Sequence, residues 1–188
     1  MHDVLIIGGG ISGLSAAVYT AYGKLDTVVL DTETSQIKRV GTLRNYPGVL
    51  ETSGEQLLEN MRKQAESFGA EVQVNEVKNI EPQEGGFSVE TETGTMSAKY
   101  VIVATNIKTD LLENLGLSLI VNEKVPSGKI KQVEGVGFDG VTSRENLYIA
   151  GLLTGLSSQS VIAAGQGAQL GVDIVTRETG KMFIWHDV

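Results

Sequence analysis

Three glycines and one aspartate near the start of the chain have the spacing of a phosphate-binding turn. Gly8, Gly10 and Gly13 form a Gly-x-Gly-x-x-Gly pattern, and Asp31 follows 18 residues after the last of them. Glycines at these positions permit a tight turn and a close approach to a diphosphate, which the amides of a helix N-terminus then bind. An acid at this distance is suited to accept hydrogen bonds from ribose hydroxyls. The pattern predicts a dinucleotide site. The alternative is a glycine-rich turn that binds nothing, with Asp31 as a strand-end turn residue.

The elements that such a turn needs are present on either side of it. Residues 4–7 form a short apolar run, rich in β-branched residues, and residues 27–30 form a second one. Both runs are typical of buried parallel strands. Residues 14–22 continue the turn as a helix of small residues, with Gly23 as its predicted stop. Strand, turn, helix, strand and acid thus follow the order of a nucleotide-binding βαβ unit.

Composition places the chain among ordinary globular proteins. Its 188 residues are 41% hydrophobic and 20% charged, which suits one domain with a substantial core. The formal net charge of −8 disfavours nucleic acid or an anionic membrane as a partner. We find neither a transmembrane run nor a signal peptide and expect a cytoplasmic protein. The absence of cysteine excludes disulfides and thiolate chemistry, and two histidines near opposite termini do not suggest a metal site.

The rest of the chain predicts an α/β fold with a mainly parallel sheet. Capping-box spacing at Thr52 and Ser53, three residues before Glu55 and Gln56, begins a helix that ends at Gly69. Ser157 and Ser158 are candidate caps for a long helix that runs to about residue 177. Alternation of apolar and polar residues predicts a small antiparallel meander packed on one face of the sheet. The predicted strands after the first two are 71–74, 77–82, 86–92, 95–97, 100–104 and 147–150.

Several segments together resemble the FAD domain of the thioredoxin reductase-like flavoproteins, within the pyridine nucleotide-disulphide oxidoreductase family. The resemblance covers almost the whole chain. Besides the glycine turn and Asp31, it is carried by residues 44–48 (Arg-Asn-Tyr-Pro-Gly), 54–69, 101–106, 146–151 and 159–165. It implies FAD rather than NAD at the glycine turn. It also implies that the Asn-Tyr-Pro-Gly turn lies beside the isoalloxazine and that a helix N-terminus lies under the pyrimidine edge of the flavin.

The resemblance and the residue types together define a set of predicted FAD-binding residues, whereas no catalytic acid, base or nucleophile is identified. A fold of this class binds its ligand at the carboxyl ends of the parallel strands. The set comprises Gly8, Gly10, Ile11, Ser12, Gly13, Asp31, Thr32, Arg44, Asn45, Val77, Ala104, Thr105, Gly151, Leu152, Gln159 and Ser160.

Besides Asp31, five of these residues have a second interpretation that the sequence leaves open. Asn45 offers an amide to the polar edge of the ring, or it is only the first residue of a turn. Gln159 and Ser160 present helix-start amides to a partly anionic flavin carbonyl, or they form an ordinary cap. Thr105 follows a buried strand, as a ligand contact or as a loop threonine. Arg44 contacts a phosphate, a flavin carbonyl or an acidic partner, or it is a solvated arginine.

Three departures from the family pattern shape the prediction. The connection around residues 107–146 is too short for a second βαβαβ unit, so we expect one FAD-binding domain, 1–188, without the NADPH domain. The redox cysteines are absent, so the chain is not a thioredoxin reductase. Leu152 follows Ala150-Gly151 where the family has aspartate, and losing that acceptor costs roughly 0.5–1.5 kcal/mol of FAD binding. Asn106 replaces a usual glycine, which is a milder change.

The predicted function is electron or hydride transfer at the flavin, with an unidentified donor and acceptor. The absence of the NADPH domain favours an alternative, a non-catalytic FAD- or nucleotide-binding subunit that regulates or completes an assembly. A third possibility is a subunit that takes electrons from a separate reductase.

The histidines and the tail are predicted to be structural. We expect His2 on the surface and His186 in a tail that packs. Flavin domains of the family that the chain resembles usually pair as two-fold dimers, so the resemblance implies a homodimer. Phe183, Ile184 and Trp185 place three large apolar residues near a terminus, and we expect this tail to cover the vacated surface or the partner subunit. The alternative is that Trp185 folds back on its own domain.

Overall fold

The computed structural model describes residues 1–105 and 109–185. Within them the chain alternates strands and helices around one large sheet. The helices are α1 (Ile11–Tyr22), α2 (Gly54–Ser67), α3 (Asp110–Asn114) and α4 (Ser160–Thr179). The strands are β1 (His2–Ile7), β2 (Thr27–Asp31), β3 (Glu71–Val74), β4 (Val77–Gln83), β5 (Gly86–Thr91), β6 (Gly94–Val103), β7 (Leu119–Val121), β8 (Lys131–Val133) and β9 (Leu147–Ile149).

The centre of the large sheet is parallel, which confirms the predicted fold class. Strand β1 pairs with β2 on one side and with β6 on the other, while β3 pairs with β2 and β9 pairs with β6. Helices α1 and α2 supply the crossover connections that parallel neighbours require. The carboxyl ends of β1, β2, β6 and β9 therefore meet at one edge of the sheet.

Strand β6 corrects the sequence prediction, which placed two separate strands at 95–97 and 100–104. Its first half pairs antiparallel with β5, with Phe87 opposite Ala98. Its second half pairs in parallel with β1 and β9, with Val103 opposite Ile7. The first residues of this strand are exposed or partly buried, and its last four are all buried, so the hydrophobic pattern changes although the backbone stays extended throughout.

The two faces of the parallel sheet are covered by different elements. On one face Ile80, Phe87 and Val89 of the meander pack in the same apolar cluster as Leu5 and Leu30, as predicted. On the other face α1 and α4 pack against the side chains of β1 and β6 that point the opposite way. No helix among the described residues is both long and apolar enough to cross a bilayer.

The helix caps agree with the sequence prediction at one helix and differ at two. The Ser53 hydroxyl accepts from the Gln56 amide at 3.1 Å, which confirms the predicted cap of α2. Helix α4 has Gln159 at its N-cap, because a tight turn from the Gln159 amide to the Ser157 carbonyl leaves both predicted serine caps outside the helix.

Gly23 follows the last residue of α1 as predicted, but it does not adopt the left-handed conformation that was expected of it. Its φ is −68°, and the left-handed conformation belongs to Lys24, at 66°. A Cβ on Gly23 would lie 2.4 Å from a methyl carbon of Val175 in α4. Close packing of the two helices therefore requires the glycine.

The tail adopts the alternative in which Trp185 folds back on its own chain. The indole stacks on the Tyr22 ring with centroids 3.8 Å apart and meets Tyr19 and Phe68 edge-on at 5.2 Å. The tail thus covers α1 and the end of α2. His2 Nδ1 lies 2.9 Å from an Asp26 carboxylate oxygen near the surface, where the imidazole N–H donates. The predictions for Asn106 and His186 lie outside the described residues.

Candidate cofactor site

A cleft of about 500 Å³ lies at the edge where the parallel strands end. This position is where open α/β sheets bind ligands, and the volume lies within the usual range for ligand sites. The walls come from segments distant in sequence that the sheet brings together. They are residues 7–12 after β1, 30–32 after β2, 75–77 after β3, 104–105 after β6 and 150–152 after β9.

Every predicted binding residue except Gly13 and Arg44 lines this cleft. Arg44 instead forms an ion pair with Glu51 at 2.7 Å, and its side chain is 73% exposed. That exposed placement favours the solvated alternative over a contact with the cofactor. Gly9 also lines the cleft and was not among the predicted residues, although it lies inside the glycine turn. Other lining residues were not predicted because they belong to loops or helices without a recognisable motif. They include Thr34, Ser35, Gln36, Ile37, Val40, Leu43, Asn75, Glu76, Leu111, Ser158 and Ala163.

The glycine turn has the geometry of a diphosphate cradle. Gly8 has a φ of 111°, and a Cβ there would lie 2.6 Å from the Ala104 carbonyl oxygen. Gly13 lets α1 rest on the turn, since its Cβ would lie 2.0 Å from the Gly8 oxygen. Gly10 faces the open cleft at the start of α1, which has no side-chain cap. The first-turn amides of α1 therefore suit an anionic ligand.

Asp31 holds the turn and faces the cleft at the same time. One carboxylate oxygen accepts from the Gly9 amide at 3.1 Å. A Cβ on Gly9 would lie 2.6 Å from the Asp31 carboxyl carbon, so this pair requires a glycine. A carboxylate has further acceptor capacity, which suits the hydroxyls of a ribose. The run of three consecutive glycines was the signal in the sequence for the role of Gly9.

The cleft lining also brings together two predicted residues that are 114 positions apart. The Asn45 side-chain amide donates to the Gln159 side-chain oxygen at 2.9 Å. Ser160 begins α4, whose N-terminus has no side-chain cap. Burial raises the pKa of the neighbouring Tyr46 phenol, and the interaction with Tyr19 raises it further. The Asn45–Gln159 pair offers amide donors and acceptors to a ligand.

The turn after β9 forms the floor of the cleft. Gly151 has a φ of 75°, and its amide donates to the Gln166 side-chain oxygen at 2.6 Å. Leu152 is half-buried and lines the cleft. The side chain that replaces the family's aspartate therefore lies at the ligand surface. Gln166 was missed because nothing in the small-residue pattern of α4 distinguishes it.

We expect Leu152→Asp to leave FAD affinity unchanged or to raise it by up to about tenfold, since a carboxylate at this surface restores an acceptor for the ligand. Titration of the apoprotein with FAD, followed by flavin fluorescence, measures the change. Leu153→Asp is the contrasting variant, because Leu153 is fully buried and a charge there should prevent folding. A clear loss of affinity in folded Leu152→Asp would show that Leu152 serves packing instead.

Two families match the chain by sequence. The FAD binding domain family matches residues 3–75, and the pyridine nucleotide-disulphide oxidoreductase family matches residues 48–107. A thioredoxin reductase of Treponema pallidum (strain Nichols) is 40% identical over 107 residues, which are 55% of this chain and 35% of that protein. A 34.2 kDa protein in the rubredoxin operon of Clostridium pasteurianum is 36% identical over 110 residues, 57% of this chain and 36% of that protein. The chain thus matches little more than a third of the length of either relative.

Solved structures match the fold over nearly the whole chain. A thioredoxin reductase from Gloeobacter violaceus has a TM-score of 0.79 at 20% identity, covering 100% of this chain and 98% of that one. An oxidoreductase from Agrobacterium tumefaciens has a TM-score of 0.81 at 14% identity, covering 95% and 99%. At these identities the likeness concerns the fold alone. The sequence matches agree with the resemblance to a thioredoxin reductase-like FAD domain, and they indicate FAD as the cofactor.

Proposed function

We propose that the chain is a flavin-dependent oxidoreductase domain that exchanges electrons with other molecules through bound FAD. The observation that carries this proposal is the polar pair of Asn45 and Gln159, which lie 2.9 Å apart in the lining of the same cleft as Asp31. A site for ADP alone would need only the glycine turn and the acid. The additional polar pair suits a flavin ring, which supplies electron or hydride transfer when bound.

The side chains of the cleft hold and orient the cofactor in this proposal. Amides at the start of α1 bind the diphosphate, and Asp31 accepts from the ribose. Asn45 and Gln159 orient the polar edge of the ring, and the N-terminus of α4 favours negative charge there. Among the described lining residues the only carboxylates are Asp31 and Glu76, both near the ends of β2 and β3. In this proposal the ring is held by amides, and we assign neither carboxylate as a general acid or base.

The alternative is a non-catalytic FAD- or nucleotide-binding subunit with a regulatory or assembly role.

We propose that residues 1–188 act as one domain without an NADPH domain. In support, the described residues between β6 and β9 form α3 and a two-stranded ribbon of β7 and β8. A domain of this kind needs an electron donor that binds elsewhere or arrives as a separate reductase.

The visible spectrum of the purified protein distinguishes these functions. We expect a yellow protein with bound FAD, to which dithionite and NADPH are added in separate samples. Bleaching by NADPH supports an oxidoreductase that accepts electrons directly. Bleaching by dithionite alone supports a partner-fed or regulatory role. A colourless protein that takes up no added FAD would contradict both flavin functions.

We also propose that the protein is a cytoplasmic homodimer, as is usual for flavin domains of this kind, with the tail outside the dimer interface. Because Trp185 packs on α1 of its own chain, a chain that ends at Gly180 should remain dimeric but melt at a lower temperature. Each aromatic pair that the truncation removes stabilises the fold by about 0.5–1.5 kcal/mol. Light scattering and thermal melts on both chains test this. A monomeric full-length protein would refute the dimer, and a monomer only after truncation would place the tail in the interface.

A further inference from the structure

The floor of the cleft is held from inside by a closed circuit of hydrogen bonds. The Gly151 amide donates to Gln166 Oε1 at 2.6 Å, and Gln166 Nε2 donates to Thr154 Oγ1 at 2.9 Å. The Thr154 hydroxyl then donates to the Gly151 carbonyl at 2.9 Å. Gln166 is fully buried and Thr154 is 5% exposed. A buried network of this kind stabilises the fold only while each of its polar groups has a hydrogen-bond partner.

Gln166 also lies where three cofactor-facing segments meet. The next residue, Gly167, is so close to α1 that a Cβ would lie 2.1 Å from the Ser12 carbonyl oxygen. A Cβ on Gly151 would lie 2.9 Å from the Ser12 hydroxyl oxygen. The glycine turn, the floor of the cleft and α4 are therefore in direct contact. A shift of the Gly151 turn would therefore move the glycine turn and the N-terminus of α4 relative to each other.

A second buried amide supports the same turn from outside. Asn122, which follows β7 and is fully buried, donates to the carbonyls of Leu152 and Leu156 at 3.1 and 3.2 Å. Its own oxygen accepts from the Lys124 amide at 3.0 Å. Two buried side-chain amides, those of Asn122 and Gln166, therefore hold the turn. Gln166 belongs to α4, so its amide connects the turn to that helix.

We infer that Gln166 is a positioning residue for FAD: it fixes the Gly151 turn against α4, so that the diphosphate cradle and the N-terminus of α4 bind the two ends of one cofactor molecule. This inference rests on the proposed FAD site. Gln166 does not line the cleft, so it acts through Gly151 and Thr154. Because Leu152 has no polar side-chain atom to bind the ligand, the floor of the cleft contributes to binding through the shape of its backbone turn.

The test compares two variants that break the circuit with one that preserves it. Gln166→Met keeps the volume of the side chain and removes its polar atoms, and Thr154→Val removes the hydroxyl from the other side. We expect each to weaken FAD binding by about tenfold or more and to alter the visible circular dichroism of the bound flavin, because unpaired buried groups displace the turn. Thr154→Ser keeps the hydroxyl and should bind FAD within about threefold of the wild type.

Thr20→Val is the matched control for a general loss of stability. Thr20 is fully buried, and its hydroxyl donates to the Ala16 carbonyl at 3.1 Å and accepts from Thr27 at 3.0 Å. This bond network lies in the last turns of α1, away from the cleft. The variant should lower the melting temperature of the apoprotein but leave FAD affinity and the flavin dichroism unchanged.

The outcomes separate this inference from the proposed function. Wild-type protein that takes up no FAD would overturn both. Wild-type protein that binds FAD, with Gln166→Met binding it equally well and with the same dichroism, would overturn the positioning role alone. An equal loss of affinity in Thr20→Val would also overturn it, because the effect would then follow general stability. If Gln166→Met does not fold, Thr154→Val against Thr154→Ser decides the question by the same criteria.

Discussion

Gly10→Val should yield a folded apoprotein that takes up no FAD. Gly10 has φ and ψ of −80° and −173°, an extended conformation that any residue adopts. The nearest atom to a Cβ there is the Ser35 hydroxyl oxygen at 3.6 Å, an ordinary contact. The fold therefore tolerates the side chain, but two added methyl groups occupy the space where backbone amides meet the diphosphate. Far-ultraviolet circular dichroism checks the fold, and the absorbance at the flavin band checks the cofactor.

The neighbouring glycine provides a contrast with a different expected result. A Cβ at Gly13 would lie 2.0 Å from the Gly8 carbonyl oxygen, so Gly13→Ala should damage the packing of α1 on the turn and lower the stability of the apoprotein. Gly10→Ala, with a single methyl group, should bind FAD more weakly than the wild type and melt at a similar temperature. A Gly10→Val protein that retains stoichiometric FAD would refute the assignment of this turn to the diphosphate.

Asp31→Ala should weaken FAD binding by about 1.5–3 kcal/mol, or roughly 10- to 150-fold in Kd. The carboxylate has two tasks in the structure, since it accepts from the Gly9 amide at 3.1 Å and faces the cleft. Alanine removes both. Titration of the apoprotein with FAD at constant ionic strength measures the affinity, and the melting temperature of the apoprotein reports any damage to the turn.

Asp31→Asn separates the two tasks of the carboxylate. Its side-chain oxygen can still accept from the Gly9 amide, but the amide nitrogen cannot accept from a ribose hydroxyl. We expect apoprotein stability near that of the wild type and an FAD affinity between those of the wild type and the alanine variant. Wild-type affinity in both variants would show that Asp31 is a turn residue and not a ribose ligand.

The sequence by itself determined the parts of this protein whose residues are close together in the chain. The Gly8–Gly13 turn, its flanking strands and Asp31 lie within one βαβ unit, so spacing alone predicts their geometry. The Ser53 cap and the Gln56 amide are three residues apart, and the caps of a helix depend on local chemistry. The family resemblance then extended the prediction to the distant cofactor segments, most of which do line the cleft.

Only the tertiary structure decided the contacts between residues far apart in sequence. Asn45 and Gln159 are polar surface residues with no shared pattern, and the sheet places them 2.9 Å apart. Gln166 reaches Gly151, and Trp185 reaches Tyr22, because helix packing selects these neighbours. A hydrophobic period predicts which face of an element is buried, but it does not predict which distant side chain that face will meet. The glycine turn was thus readable in the sequence, whereas the hydrogen bonds between distant segments of the cleft depend on packing.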